Sequence, residues 1–465
     1  MKRLWLGSGI LAMLAALSAQ QSDVVIKLTQ GERPIMAIPD FRGAGAAAGL
    51  MAAFNETLWS DIESSGLFKM ASKSMYPLNV PQQPSDLTQP PPPEAPSRTR
   101  RGRTPPPPTS GGGRWLQDWA GPPVNANYLV MGYTAAQNDV LVLYGWLLNA
   151  QRENAATAQM LGKRYFGSLD ENGARKIAHE FAADIIGQFG GQSLLNTKIY
   201  FISNRTGHKE LWSMDPDGSN QKQITRFNSL TIQPAVAPDG SKVACVSYAQ
   251  GNPAIFVLSV ATGGRLPFYN QRASVNGTPD FTPDGKQIVY SSSASGWTQI
   301  YVANVNGTDF RRLSNVRAVE VEPKVNPKTG SEIVFVSGRS GPQQIYRMNM
   351  DGANVERLTP GEGEASNPSW HPDGQIIAYS WTRGYATGNF NIFVMDVATR
   401  NYTQLTHGAG RNENPSWAPD GRHIVFASTR TGSSQIWTML ANGQQLRQLT
   451  SQGSNWSPVW GKTAQ

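Results

Sequence analysis

The chain has one cysteine, Cys245, in 465 residues, so no internal disulfide is possible and the fold must be held by its core. Cys245 sits in the apolar run Val243–Val246, where it reads as a small buried residue rather than a reactive thiol. Histidine is scarce too: His179, His208, His371, His407 and His423 are the full set. No His-Glu-x-x-His or Cys-x-x-Cys occurs, which removes the usual zinc patterns. There is no Gly-x-Ser-x-Gly elbow and no Walker-type loop. Asp215-Pro-Asp217-Gly218 has the start of a calcium loop but lacks its distal glutamate. The sequence therefore assigns no catalytic residue, no metal ligand and no cofactor. Charge is sparse at 16% of residues, and the net +8 is spread thinly, which argues against a nucleic-acid partner. Beyond residue 20 no run of about 18 apolar residues exists, so the chain is not expected to be membrane-embedded.

What is present begins with a leader. Lys2 and Arg3 precede an apolar run, Leu4–Leu17, and small residues around Ser18 and Ala19 offer a cleavage site. Residues 1–19 read as a signal peptide, and the mature chain as exported.

The C-terminal half repeats itself. Pro234-Ala-Val-Ala-Pro-Asp-Gly240 returns as Pro279–Gly285, Pro368–Gly374 and Pro415–Gly421, roughly every 45 residues. A degenerate copy, Pro323-Lys-Val-Asn-Pro-Lys-Thr-Gly330, fills the gap. Each copy continues with an apolar strand, a loop with Gly and often Arg, and a strand centred on an aromatic (Trp212, Phe256, Tyr301, Tyr346, Phe393, Trp437). An Asp-Gly or Asn-Gly turn and a short strand ending near Leu-Thr complete it. Four strands per repeat make one propeller blade, and Asp-Gly between alternating strands is a hairpin signal. The count is six. The first copy lacks its opening strand, while the chain ends on an orphan of that strand, Trp456-Ser-Pro-Val-Trp460, which is expected to close the ring. The repeated Asp239, Asp284, Asp373 and Asp420 read as turn residues and the repeated aromatics as packing.

Residues 20–196 read as a small α/β domain, and 197–465 as the propeller. Strands are expected at Val24–Thr29, Pro34–Ile38, Tyr128–Tyr133 and Val140–Leu148. Helices follow from the spacing of Leu50, Phe54, Leu58 and Ile62, with Gly66 at the C′ position, and of Ala174, Ile177, Phe181, Ile185 and Phe189. Ser168-Leu-Asp-Glu171 reads as a capping box for the second helix. Residues 79–113, with Pro90–Pro93, Pro105–Pro108 and the basic cluster Arg98–Arg103, read as a disordered insertion looping out of this domain.

In antiparallel blades, the Pro-Asp-Gly and Asp-Gly turns share one face. The loops entering the first strands and the Gly/Arg loops share the other, where their varied sequences mark a binding surface around the channel mouth.

This combination resembles the TolB family of the Tol-Pal system. The resemblance rests on the leader, Ile38-Pro-Asp-Phe-Arg-Gly43, Ser64-Ser-Gly-Leu-Phe68, Lys198-Ile-Tyr-Phe-Ile-Ser203 and the Trp-x-Pro-Asp-Gly blades. It implies a monomeric protein of the periplasm that is not an enzyme. It also implies binding of the peptidoglycan-associated lipoprotein at Val275, Asn276, Thr278, Val321, Glu322, Asn367 and Asn414. The mature N-terminal segment, Gln21, Ser22, Asp23 and Val24, is implied to bind TolA. The implied role is support of outer-membrane integrity and of invagination during cell division. Two alternatives stay open: an exported propeller enzyme, which needs a channel cluster of His and carboxylates, and a glycan-binding module using Trp297 or Trp381.

Overall fold

The structure, a computed structural model, describes residues 33–88 and 111–464. The leader, the strand expected at Val24–Thr29, the segment Gln21–Val24 and the proline-rich centre of the insertion lie outside the described residues. Two compact units emerge, divided between Leu195 and Asn196.

In the first unit, apolar residues at i, i+4 place one face of the helix Met51–Ser64 in the core, burying Phe54, Leu58 and Ile62. It ends at Ser65, and Gly66 takes the left-handed φ of +70° that a helix stop favours. The helix Glu171–Gln188 buries Ile177, Phe181 and Ile185 in the same cluster. Its cap differs from the expected capping box. Asp170 is the N-cap and accepts from the Gly173 amide at 2.7 Å, while the Ser168 hydroxyl donates to Asp170 at 2.8 Å. The hairpin Tyr128–Gln137 and Val140–Asn149 turns at Asn138 and Asp139, both at positive φ, as a two-residue turn requires. A further strand, Gln159–Ser168, extends the hairpin, and Ile35–Ala37 and Lys69–Met70 add in parallel on the other side.

The second face of this sheet is covered by Leu116, Trp119 and Val124. Parts of the expected insertion belong to this layer. The Asn79 amide donates to the Gly112 carbonyl and the Thr88 amide to the Arg114 carbonyl. The Asp118 carboxylate gathers the amides of Gly111 and Gly113. Gly113 is at φ +106°, and a Cβ there would lie 2.0 Å from the Asn79 carbonyl oxygen. Residues 79–88 and 111–113 of the expected insertion thus belong to the folded unit.

The second unit is six four-stranded antiparallel sheets, each following chain order from inner to outer strand. The exception is the first blade, whose inner strand is Asn455–Lys462, paired with Thr197–Ser203. The indole of Trp460 donates to the Thr197 hydroxyl at 3.0 Å across that seam. The ring is closed by this strand, as its sequence led one to expect, and the edge of Thr197–Ser203 is covered. The repeated aspartates accept locally: the amides of Ser241, Lys286, Gln375 and Arg422 donate to Asp239, Asp284, Asp373 and Asp420 at 2.8–3.0 Å. Cys245 is fully buried, and burial pushes its thiol up to about 12. Among the described residues, no helix is long and apolar enough to cross a membrane.

Candidate functional site: the channel wall and mouth

Every inner strand carries a bulge at the residue before its proline. Gln233, Thr278, Glu322, Asn367, Asn414 and Ser457 occupy this position, all at φ between +45° and +55°. A non-glycine residue rarely adopts this region, and six equivalent instances mark a built feature. The side chains link one blade to the next. Gln233 Oε1 accepts the Thr278 amide at 3.2 Å, and Thr278 Oγ1 accepts the Glu322 amide at 3.1 Å. Glu322 takes the Asn367 amide at 2.6 Å and the Asn367 side-chain amide at 3.0 Å. Asn367 Oδ1 accepts the Asn414 amide at 3.4 Å. Burial pushes the Glu322 carboxyl above its ordinary value, against the Asn367 hydrogen bonds and the Lys324 charge.

Two residues further along, three of the inner strands repeat the device. Asp280 accepts the Val325 amide at 3.0 Å and pairs with Lys324 at 3.2 Å. Ser369 accepts the Trp417 amide, and Ser416 the Trp460 amide. Burial raises the Asp280 carboxyl and Lys324 opposes the rise.

Of the residues expected to bind a partner, Thr278, Glu322, Asn367 and Asn414 are thus brought together in one hydrogen-bonded series. Asn276 is 3% exposed, donating to the Gln271 carbonyl and accepting from Ser292. Val275 and Val321 are half-buried at the starts of their strands. Gln233 begins this series and Ser457 holds the equivalent backbone position in the first blade; a polar residue before proline in all six copies is the sequence signal that could have found them.

The arginines of the Gly/Arg loops also do structural work. Arg205, Arg339 and Arg430 each donate to the serine two residues earlier and reach the first residue of an inner strand: Asn455, Glu320 and Asn412 respectively. Each guanidinium lies over the central aromatic of the third strand, Trp212, Tyr346 or Trp437, at 4.6–5.0 Å. The recurrent Leu-Thr has a similar basis. The hydroxyls of Thr225, Thr359, Thr406 and Thr450 accept the amide of the third strand's second residue, and the Ser314 hydroxyl accepts the Ile300 amide.

Among the described residues no three His, Cys, Asp or Glu gather as a metal site would require. Trp381 is fully buried and its indole donates to the Glu362 carbonyl, so it cannot stack on a sugar; Trp297 is 49% exposed. His371 is held between the Gly421 carbonyl and Asp373.

Together these features define a six-bladed β-propeller whose channel wall is hydrogen-bonded from blade to blade beneath six dissimilar loops. The family described as "TolB beta propeller domain" matches residues 188–387 and 361–464. The chain belongs to the TolB family. A protein described as a TolB homolog in Chlorobium chlorochromatii is 40% identical over 119 residues, 25% of this chain and 26% of that one. The Tol-Pal system protein TolB of Methylobacillus flagellatus is 29% identical over 241 residues, 51% of this chain and 47% of that one. These alignments span less than two thirds of either relative. The crystal structure of TolB from Acinetobacter baumannii superposes with a TM-score of 0.73 at 22% identity, covering 93% of this chain and 97% of that one, which shows the shared fold.

Proposed function

We propose that this chain is the periplasmic TolB component of a Tol-Pal system and works as a monomer by binding proteins, without catalysing a reaction. On this reading the propeller mouth, around Val275, Asn276, Thr278, Val321, Glu322, Asn367 and Asn414, binds the peptidoglycan-associated lipoprotein. The mature N-terminal segment Gln21–Val24 engages TolA at the inner membrane, and the linkage supports outer-membrane integrity and invagination at division. What supports the reading is family membership combined with a mouth whose wall is rigidified from blade to blade. A preorganised surface gives up little freedom on binding.

The test is calorimetric titration of the full chain with purified, lipid-free lipoprotein. Binding is expected, and replacement of Glu322 and Thr278 by alanine should weaken it by roughly tenfold or more if these residues lie at the contact. Thermal melts of the same variants separate loss of contact from loss of the wall. Binding of glycan alone, or turnover of a substrate, would refute the proposal.

A further inference from the structure

Six backbone hydrogen bonds define one equivalent position at the entrance of every blade. The amides of Tyr248, Ser293, Gly338, Thr382, Thr429 and Asn204 donate at 3.0–3.2 Å to the carbonyls of Leu230, Val275, Val319, Glu364, Arg411 and Ser454. Equivalent backbone, however, carries unequal chemistry. Blades 2, 3 and 4 place Leu, Val and Val there; blades 5, 6 and 1 place Glu, Arg and Ser. The Gly/Arg-type loops follow the same division. Tyr248 in blade 2 and Trp297 in blade 3 are 36% and 49% exposed, as are the entrance residues Leu230 at 38% and Val319 at 45%. No other large apolar residue of the mouth loops is comparably exposed among the described residues.

Charge divides along the same line. Arg226, Arg272 and Arg317 precede the apolar entrance residues of blades 2, 3 and 4, and all three are exposed. None has a side-chain partner among the described residues. Of the two acidic residues at these entrances, Glu320 is buried against Arg339 and Glu322 is engaged by the backbone and side-chain amides of Asn367. On the opposite side two arginines are neutralised, Arg383 by Glu362 at 2.8 Å and Arg411 by Glu413 at 2.7 Å, while Arg205, Arg430 and Lys209 lie over aromatic rings.

We propose that blades 2–4 form a docking sector of the mouth for a polypeptide segment that is acidic and carries apolar side chains. This deepens the binding reading above and rests on it. Exposed aromatic and aliphatic groups gathered on adjacent blades mark interaction surfaces, and three unpaired guanidiniums select a carboxylate-bearing partner. The blade 5–6 half holds the partner's edge and contributes little selectivity.

The test is fluorescence anisotropy of the full chain with a labelled peptide alternating Glu with Leu and Phe, against a control with Lys at every Glu. The acidic peptide should bind and the basic one should not. R226E/R272E/R317E should weaken binding by roughly 30-fold or more, and Y248S/W297S by roughly tenfold. R411E should change it by less than about threefold, because that charge is already paired. Unchanged melting temperatures would show that these loop variants fold. Equal binding of the two peptides, no binding of the acidic one, or R411E as damaging as the triple variant would each overturn the proposal. So would capture of phosphatidylglycerol vesicles with the peptide left unbound. Titrating the same variants with lipid-free lipoprotein separates the two readings. If lipoprotein binding survives the triple reversal but falls in Glu322→Ala, this sector is refuted and the function stands. If the unaltered chain does not bind lipoprotein, the function is refuted and the peptide result decides the sector alone.

Discussion

Blades 4 and 6 build the same junction from different chemistry. In both, an arginine from the Gly/Arg loop lies over the third strand's aromatic and bonds the serine two residues before it. In blade 6 its remaining partner is the neutral Asn412; in blade 4 it is Glu320, which is wholly buried. Their inner turns differ as well. Blade 6 folds its Pro-Asp-Gly around Asp420, which His423 Nδ1 meets at 2.7 Å. Blade 4 has no aspartate there and uses Asn326, whose side chain accepts from the Lys328 amide and donates to Glu332 and the Gly374 carbonyl. The blade geometry is set by the backbone hydrogen bonds and the aromatic, while the charge at each joint is free to vary. The charged version is the more fragile, because losing one partner strands the other in the interior.

The largest expected effect comes from removing the blade 4 arginine. Arg339→Ala should cost about 3–5 kcal/mol, since Glu320 is left buried and unpaired. Urea unfolding followed by tryptophan fluorescence measures this. Arg430→Ala in blade 6 should cost only about 1–2 kcal/mol, because its partners are neutral and no buried charge is stranded when the hydrogen bonds and stacking are lost. Equal costs would break the comparison.

Asp420→Asn comes next, at about 1.5–3 kcal/mol near neutral pH. Burial alone would raise the Asp420 carboxyl, but His423 and Arg422 outweigh it and hold it below its ordinary value. Its contribution is therefore present above the usual aspartate range and is lost as pH falls through the lowered value. The difference between variant and unaltered chain should shrink in acid, as unfolding at stepped pH would show.

Two smaller effects sharpen the contrast. Glu320→Asn, which copies Asn412 into blade 4, should stay within about 1 kcal/mol of the unaltered chain, because a buried ion pair is replaced by a neutral bond. Glu322→Gln copies Gln233 and should stabilise slightly, with a pH dependence opposite to that of Asp420→Asn. Because the folded carboxyl is raised, both states are protonated in acid and no penalty exists. As pH rises past the ordinary glutamate value the unfolded chain ionises first, and folding is disfavoured. The gain from the variant should therefore appear as pH rises toward neutrality, read from melts at matched ionic strength.

The propeller was legible because each blade restates its turns and aromatics, so six copies of a weak signal add up. Even the closing strand could be read, since Trp456–Trp460 repeats a segment missing from blade 1. The first unit offers no repeat. Its strand Gln159–Ser168 was missed because, apart from Tyr165, most of its side chains are exposed or half-buried, leaving no alternation to detect. Ser168 looked like a cap because its spacing to Glu171 fits, yet Asp170 is closer to the helix start and carries the stronger acceptor. The channel wall was hidden for another reason. Its bonds join residues 44–47 positions apart in adjacent blades, and no local pattern encodes a partner at that distance. For the same reason Glu322 and Thr278, read only as mouth residues, turned out to hold each other's blades.

The seam at Trp460 and Thr197 joins residues 263 positions apart, whereas the other blades are assembled from pairings within a single repeat. Blades 2–6 can therefore condense from short-range contacts while the edge of Thr197–Ser203 still waits for its neighbour. Lengthening a loop this far adds little entropy, but it slows the search for the final pairing. During that interval the waiting edge would accept the same strand from another copy. Refolding at high concentration should accordingly yield a strand-exchanged dimer alongside the closed ring, and dilution should suppress it.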